Sequence, residues 1–239
     1  MILTSSLLLV NIFGIIYIFV QNSANQSNIK KVGLNTALLM FLITLIIWII
    51  FDRSTPWVQF GIYHFSVGLL GIDGISIFFI ILTAFLGPLC ILTSWKSEFY
   101  EVKTYILYIL LIELFLFLAF LSTDLISFFI FFESTLIPMF ILIGGWGSRE
   151  RKIKAAFYLF IYTLLGSIFL LFSILVIYLE TGTTSFLTLS FNTISFDKQI
   201  VLWVFSYIAF SVKTPTFPFH IWLPEAHVEA EHDIKLTTE

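Results

Sequence analysis

The chain has 239 residues, of which 59% are hydrophobic and 11% charged, with a formal net charge of −3. Soluble domains carry about 25% charged residues, so this composition excludes an ordinary water-soluble domain and describes an integral membrane protein. The one cysteine, Cys90, excludes an internal disulfide or a paired-cysteine metal site within the chain.

A membrane-spanning helix needs about 20 predominantly apolar residues. Continuous apolar runs predict seven of them, over roughly residues 1–20, 32–51, 72–95, 103–121, 124–145, 155–179 and 199–220. Strands of a membrane barrel would be about 10 residues long with alternating polarity, so the expected fold class is an all-α polytopic membrane protein. The first segment lacks the basic start of a secretory signal and reads as a retained helix. No Arg-rich amphipathic presequence precedes it, which points to synthesis inside the organelle if the protein is mitochondrial.

The polar residues collect between these runs. Gln21–Asn28, Asp52–Leu70 (with Pro56, Trp57 and His64), Gly147–Lys154 and Thr181–Lys198 read as connecting segments. The turn Ser122–Asp124 is so short that the fourth and fifth helices are expected to be antiparallel neighbours. Cytoplasm-like loops carry the excess of Lys and Arg. With the N-terminus outside, Lys30, Lys31, Lys96, Lys103, Arg149, Arg151, Lys152 and Lys154 are all inner and only Arg53 and Lys198 are outer.

Three ionisable residues fall well inside the spans, away from their ends. Glu113 lies in the fourth, Glu133 in the fifth and Lys213 in the seventh. A charge at mid-membrane costs several kcal/mol, about 2.5–3.5 on insertion scales, and such residues commonly face a bundle interior and mark ion paths. An acid and a base that meet in hydrocarbon govern each other's hold on a proton, which makes Glu133 with Lys213 a candidate proton-capture pair. A static ion pair that fixes helix register is the alternative. Glu113 is expected at a similar depth, either on the same path or as a hydrogen-bonding residue between helices.

Pro215 and Pro218 supply no N–H, and their rings clash with the carbonyl four residues earlier. They predict a broken seventh helix, with the Ser211 and Thr214 carbonyls freed beside Lys213. Broken helices of this kind line ion sites in transporters. Pro138 predicts a bend one turn beyond Glu133. His220 and His227 flank the inner end of the seventh helix. A metal site there would need a third ligand such as Glu225 or Glu229, so a proton relay is the favoured reading for His220. No metal site, phosphate loop or redox-cofactor motif is expected in the chain itself, and the basic run Arg149–Lys154 reads as a topology signal or an anionic-lipid contact.

Four strings extend this reading. LGIDGIS (Leu70–Ser76), FFESTLIPMFILIGGWGSRERKIKAA (Phe131–Ala156), IYTLLGS (Ile161–Ser167) and VKTPTFPFHIWLPEAHVEA (Val212–Ala230) resemble the subunit 4 family of mitochondrial NADH:ubiquinone oxidoreductase, respiratory complex I. The resemblance runs through nearly all of residues 32–230. It implies an antiporter-like subunit that translocates protons and holds no cofactor, while NADH, FMN, iron–sulfur clusters and ubiquinone are handled by other subunits. It assigns the essential Glu to Glu133, the essential Lys on the broken helix to Lys213, the acid of the fourth helix to Glu113, and the histidines of the seventh to His220 and His227.

The partners it implies are other complex I membrane subunits, the neighbouring antiporter-like ones among them. The lipid bilayer is a further expected partner and nucleic acid is not. The setting implied is the mitochondrial inner membrane, with a bacterial plasma membrane as the alternative.

The resemblance stops at Ala230. The family continues into further apolar helices, whereas residues 231–239, EHDIKLTTE, form a polar tail that cannot span. Residues 1–230 are therefore expected to be a membrane domain corresponding to the first half of the family's fold, with a C-terminal half as a missing partner. A split gene, a product read into an intron and a truncated copy all fit. The rivals to a complex I subunit are a subunit of a cation/proton antiporter and a truncated, non-conducting product.

Overall fold

A computed structural model describes residues 2–55, 58–64, 68–95, 101–147 and 151–224. His227, Glu225, Glu229, Lys96, Arg149 and the tail 231–239 lie outside them. The chain divides into two units, Met1–Ser122 and Thr123–Glu239.

The first unit contains helices α1 (Ile2–Val20), α2 (Gln26–Ile50), α3 (Ser76–Thr93) and α4 (Val102–Leu121). All four are long and apolar enough to cross a membrane. Their inner faces show the i, i+3, i+4 spacing of a helix stripe. On α1 the buried positions are Thr4, Leu7, Asn11, Gly14 and Ile18, and on α2 they include Ile29, Gly33, Ala37, Met40, Thr44 and Ile47. Exposed apolar side chains such as Phe13, Ile49 and Phe78 cover the other faces, as expected where the surrounding medium is lipid.

Helix ends leave carbonyls without intrahelical partners, and here they are met from neighbouring helices. The Lys30 ammonium at the start of α2 donates to the carbonyl of Trp95 at 2.8 Å, just past α3. Lys103 at the start of α4 donates to the carbonyls of Phe19 and Gln21 at 2.7 and 2.8 Å, at the end of α1.

The segment after α2 differs from the expected loop. Gln59–His64 (β1) and Gly68–Ile72 (β2) pair as an antiparallel hairpin. Its register is irregular between Gln59 and Ile62, where Phe60 has φ 55°, the extra-residue geometry of a bulge. The Thr4 hydroxyl donates to the Phe60 carbonyl at 2.9 Å. Short runs of aromatic and β-branched residues ending in glycine carry a strand signal, which is easily overlooked between runs long enough to span. Asp73 of the LGIDGIS string accepts backbone N–H bonds from Ile75 and Ser76 at 3.1 and 2.5 Å, closing the turn that leads into α3.

In the second unit, the run expected as one fifth helix is two: α5 (Leu125–Ser134) and α6 (Leu136–Trp146), interrupted at Thr135. Then follow α7 (Lys152–Thr181), the one-turn α8 (Phe186–Leu189), α9 (Phe196–Lys213) and a 3₁₀ turn (Phe219–Ile221). Leu125–Trp146 and α7 bring the spans identified by length and composition among the described residues to six. The seventh expected span, α9, is helical, but its 18 residues include Asp197, Lys198 and Lys213, which dilute its apolar character. Its N-terminal end is linked to α7 by the exposed Lys198–Glu180 ion pair at 2.5 Å, a type that contributes little net stability.

Asp124 sets where α5 begins. Its carboxylate accepts from the N–H groups of Ile126 and Ser127 at 3.2 Å each and from the Thr184 hydroxyl at 2.5 Å. Backbone bonds from Leu125 N–H to the Thr184 carbonyl and from Phe186 N–H to the Thr123 carbonyl, both 3.0 Å, hold the same two segments together. Losing an N-cap costs about 0.5–2 kcal/mol. Asp124→Ala is expected to destabilise the protein by about 1–2 kcal/mol, while Asp124→Asn retains most of the stability; thermal midpoints of the two variants check this.

Candidate functional site

The site is built from two interrupted helices in the second unit. Pro138 offers no N–H to the carbonyl of Ser134, and at Thr135 the hydrogen-bond ladder is interrupted for one residue while the backbone stays right-handed helical (φ −63°, ψ −22°). Hydroxyls turn inward around the break. Ser134 Oγ donates to the Ile130 carbonyl and Thr135 Oγ1 to the Phe132 carbonyl, each at 2.7 Å. The Thr135 carbonyl then accepts from Met139 N–H at 3.3 Å as α6 gets under way. Glu133 is thereby held at the end of α5, with Pro138 buried on α6.

The second interruption follows Lys213. Thr214 donates to the Phe210 carbonyl through its N–H at 2.8 Å and its hydroxyl at 2.7 Å, closing α9. A regular helix would continue with Pro215 N–H to the Ser211 carbonyl, a bond proline cannot make. That carbonyl accepts instead from Thr216, through N–H at 3.0 Å and the hydroxyl at 3.4 Å. The next carbonyl, Val212, accepts from the Trp222 indole N–H at 2.9 Å. Trp222 packs with Leu136 of α6 and Leu159 of α7, so one side chain both fills the space between two helices and satisfies backbone at the break.

These breaks bring Glu133 and Lys213 together. Lys213 Nζ donates to Glu133 Oε1 at 3.1 Å, and the two side chains are 21% and 18% exposed. The ammonium also lies 4.1 Å from the centre of the Phe132 ring, within cation–π range. As the last residue of α9, Lys213 stands where unpaired carbonyls favour a cation. Gly166, in the IYTLLGS string, lets α7 approach α9 closely. A β-carbon there would lie 3.0 Å from Val212 Cβ, next to Lys213.

The other expected site residues are placed differently. Glu113 belongs to the first unit, on α4, where it is buried at 3% exposure. Neither of its carboxylate oxygens has a hydrogen-bond partner among the described residues. Pro215 and Pro218 lie in the segment between α9 and the 3₁₀ turn, and His220 lies within that turn, exposed, with its ring 5.9 Å from Phe217. His227 is outside the described residues. Trp222, Gly166 and Phe132 were quoted within strings but given no role by the sequence reading. A tryptophan following a proline break, in reach of orphaned carbonyls, was the available signal.

Residues 122–234 match the family described as NADH:quinone oxidoreductase/Mrp antiporter, TM. The NADH-ubiquinone oxidoreductase chain 4 of Arabidopsis thaliana is 48% identical over 236 residues, covering 95% of this chain and 47% of its own length. The chain resembles the N-terminal half of complex I subunit 4. A chain of respiratory complex I from Thermus thermophilus, solved with bound NADH, superposes with a TM-score of 0.79 at 26% identity, over 94% of this chain and 46% of that one. A chain of the membrane-bound sulfane sulfur reductase, an archaeal respiratory membrane complex, shares the fold, with a TM-score of 0.84 at 22% identity over 98% of this chain and 49% of its own. The chain thus spans about half the length of the curated relatives it matches. Its fold is that of the first half of an antiporter-like complex I subunit.

Trp222→Phe keeps most of the volume and removes the donor to the Val212 carbonyl. Leaving a buried acceptor unsatisfied costs about 1–3 kcal/mol. The variant is expected to lose stability by that amount, read as a lower midpoint of thermal unfolding.

Proposed function

We propose that this chain supplies the proton-handling first half of subunit 4 in a proton-translocating NADH:ubiquinone oxidoreductase of the mitochondrial inner membrane. In this reading NADH oxidation, FMN, iron–sulfur clusters and ubiquinone belong to other subunits. Its partners are the other membrane subunits of that complex, the neighbouring antiporter-like ones first, together with the portion of subunit 4 that these residues do not cover. The carrying observation is the 3.1 Å Lys213–Glu133 pair set at two helix interruptions.

The chemistry follows from the pair. A proton arriving from the Lys-rich side is held on Lys213 while the Glu133 carboxylate stands beside it. When the groups separate, the affinity of each for a proton changes, and the proton moves on. The interruptions at Thr135 and after Lys213 give each residue a helix end on which small rotations are possible without breaking a continuous backbone ladder. Moving one charge across 100 mV involves about 2.3 kcal/mol, the scale set by forming or losing one ion pair in a half-buried setting. Glu113, His220 and His227 are proposed as further members of the proton path.

The family description also covers Mrp antiporters. The 48% identity to a complex I chain favours the oxidoreductase, and rotenone-sensitive NADH oxidation co-purifying with the chain separates the two.

Lys213→Met preserves the stem and removes the ammonium. In assembled complex, protons translocated per NADH oxidised are expected to fall to a small fraction of the unmodified value. Glu133→Gln is expected to do the same, and the double variant little worse than either. Undiminished pumping in Lys213→Met rejects the pair as a proton-handling device.

A further inference from the structure

The first unit holds a second polar constellation, independent of the Glu133–Lys213 reading. Asn11 on α1 is 0% exposed and Glu113 on α4 is 3% exposed. Both amide atoms of Asn11 and both carboxylate oxygens of Glu113 lack a hydrogen-bond partner among the described residues. Buried polar groups are almost always partnered, by protein or by ordered water, and two side chains that each leave both polar atoms orphaned require an account.

The helices place the two residues at one level. Lys103 binds the Phe19 and Gln21 carbonyls, so α4 starts where α1 ends and the two run antiparallel. Asn11 precedes Gln21 by as many residues as Glu113 follows Lys103. Helices α1 and α4 pack directly on each other, and both side chains lie on their buried stripes.

Helix α3 contributes at the same level. A β-carbon at Gly87 would lie 2.7 Å from each Glu113 oxygen, so the carboxyl occupies space that only glycine leaves open. The next residue, Pro88, is inside α3. It provides no N–H to the carbonyl of buried Ala84 one turn back, which adds an acceptor to the same turn.

We propose that Asn11, Glu113 and the Ala84 carbonyl form a binding site for an internal water molecule at the centre of the first unit. Internal waters occupy polar sites with about two to four partners. The mixture of atoms selects water over a monovalent cation. Asn11 Nδ2 is a donor and needs an acceptor, which a cation is not, whereas water accepts from Nδ2 and donates to the Glu113 carboxyl or the Ala84 carbonyl.

The test uses the intact assembled complex, with thermal midpoints of Asn11→Leu, Glu113→Leu and the double variant. Removing one side of a bridged pair strands the other, while replacing both with apolar groups is nearly neutral. Each single variant is expected to lower the midpoint by about 3 °C or more, and the double variant to recover most of the loss. Single variants that are neutral or stabilising, or effects that add, overturn the bridge. A midpoint that rises with sodium at constant ionic strength, and is insensitive to Asn11→Leu, assigns the site to a cation and also overturns it. Where the variants fail to assemble, an electron cryomicroscopy map of the unmodified complex that resolves waters decides. A peak about 2.6–3.2 Å from both the Asn11 amide and the Glu113 carboxyl is expected, and its absence rejects the site.

Discussion

Hydrocarbon offers no hydrogen bonds, so every backbone or side-chain polar group at membrane depth has to find its partner within protein or trapped water. The arrangement around Lys213 follows from that constraint. Pro215 removes the donor to the Ser211 carbonyl, Thr216 turns to that carbonyl instead, and the Val212 carbonyl that Thr216 would have met in a regular helix is answered by the Trp222 indole. The same rule operates at Thr135, where two hydroxyls fold back onto the preceding turn. An interruption that would be ruinous with bare ends becomes a stable place to stop a helix.

Both members of the ion pair therefore stand beside irregularities in their helices, Glu133 just before the interruption at Thr135 and Lys213 at the end of α9. A side chain inside a regular helix moves only with the rod. Glu133 and Lys213 each have a short irregular segment on one side, and each is surrounded by aromatic and aliphatic packing, with Phe132 against the ammonium and Trp222 behind the break. Packing holds the pair's geometry while the adjoining segments remain separate mechanical pieces. That combination suits the proton-handling role proposed for the pair, and Gly166 contributes by letting α7 brace the last turn of α9.

Much of this was legible in the amino-acid sequence. Apolar runs of spanning length revealed the helices, because hydropathy integrates over many residues and tolerates local exceptions. Glu133, Lys213 and the prolines stood out because few polar residues interrupt those runs. What was missed required three-dimensional partners. The hairpin Gln59–Ile72 carries too short a pattern to compete with its apolar neighbours. The interruption of Leu125–Trp146 at Thr135 is a one-residue irregularity near Pro138, and hydropathy does not register it. No sequence pattern marks Trp222 or Gly166, and their importance comes from which helix each meets. Asn11 was visible as a polar residue in an apolar run, but nothing local tied it to Glu113 a hundred residues later.

The lysines at the starts of α2 and α4 carry a consequence for how the first unit is held together. Neither α1 nor α3 has a basic residue in its own last turn; their terminal carbonyls are answered by Lys103 and Lys30 from other helices. The end of α1 therefore acquires its cation only when α4 is in place, whereas the end of α3 is met by α2, which precedes it in the chain. Helices far apart in the chain, α1 and α4, are thereby clasped at one end as firmly as the sequence neighbours α2 and α3.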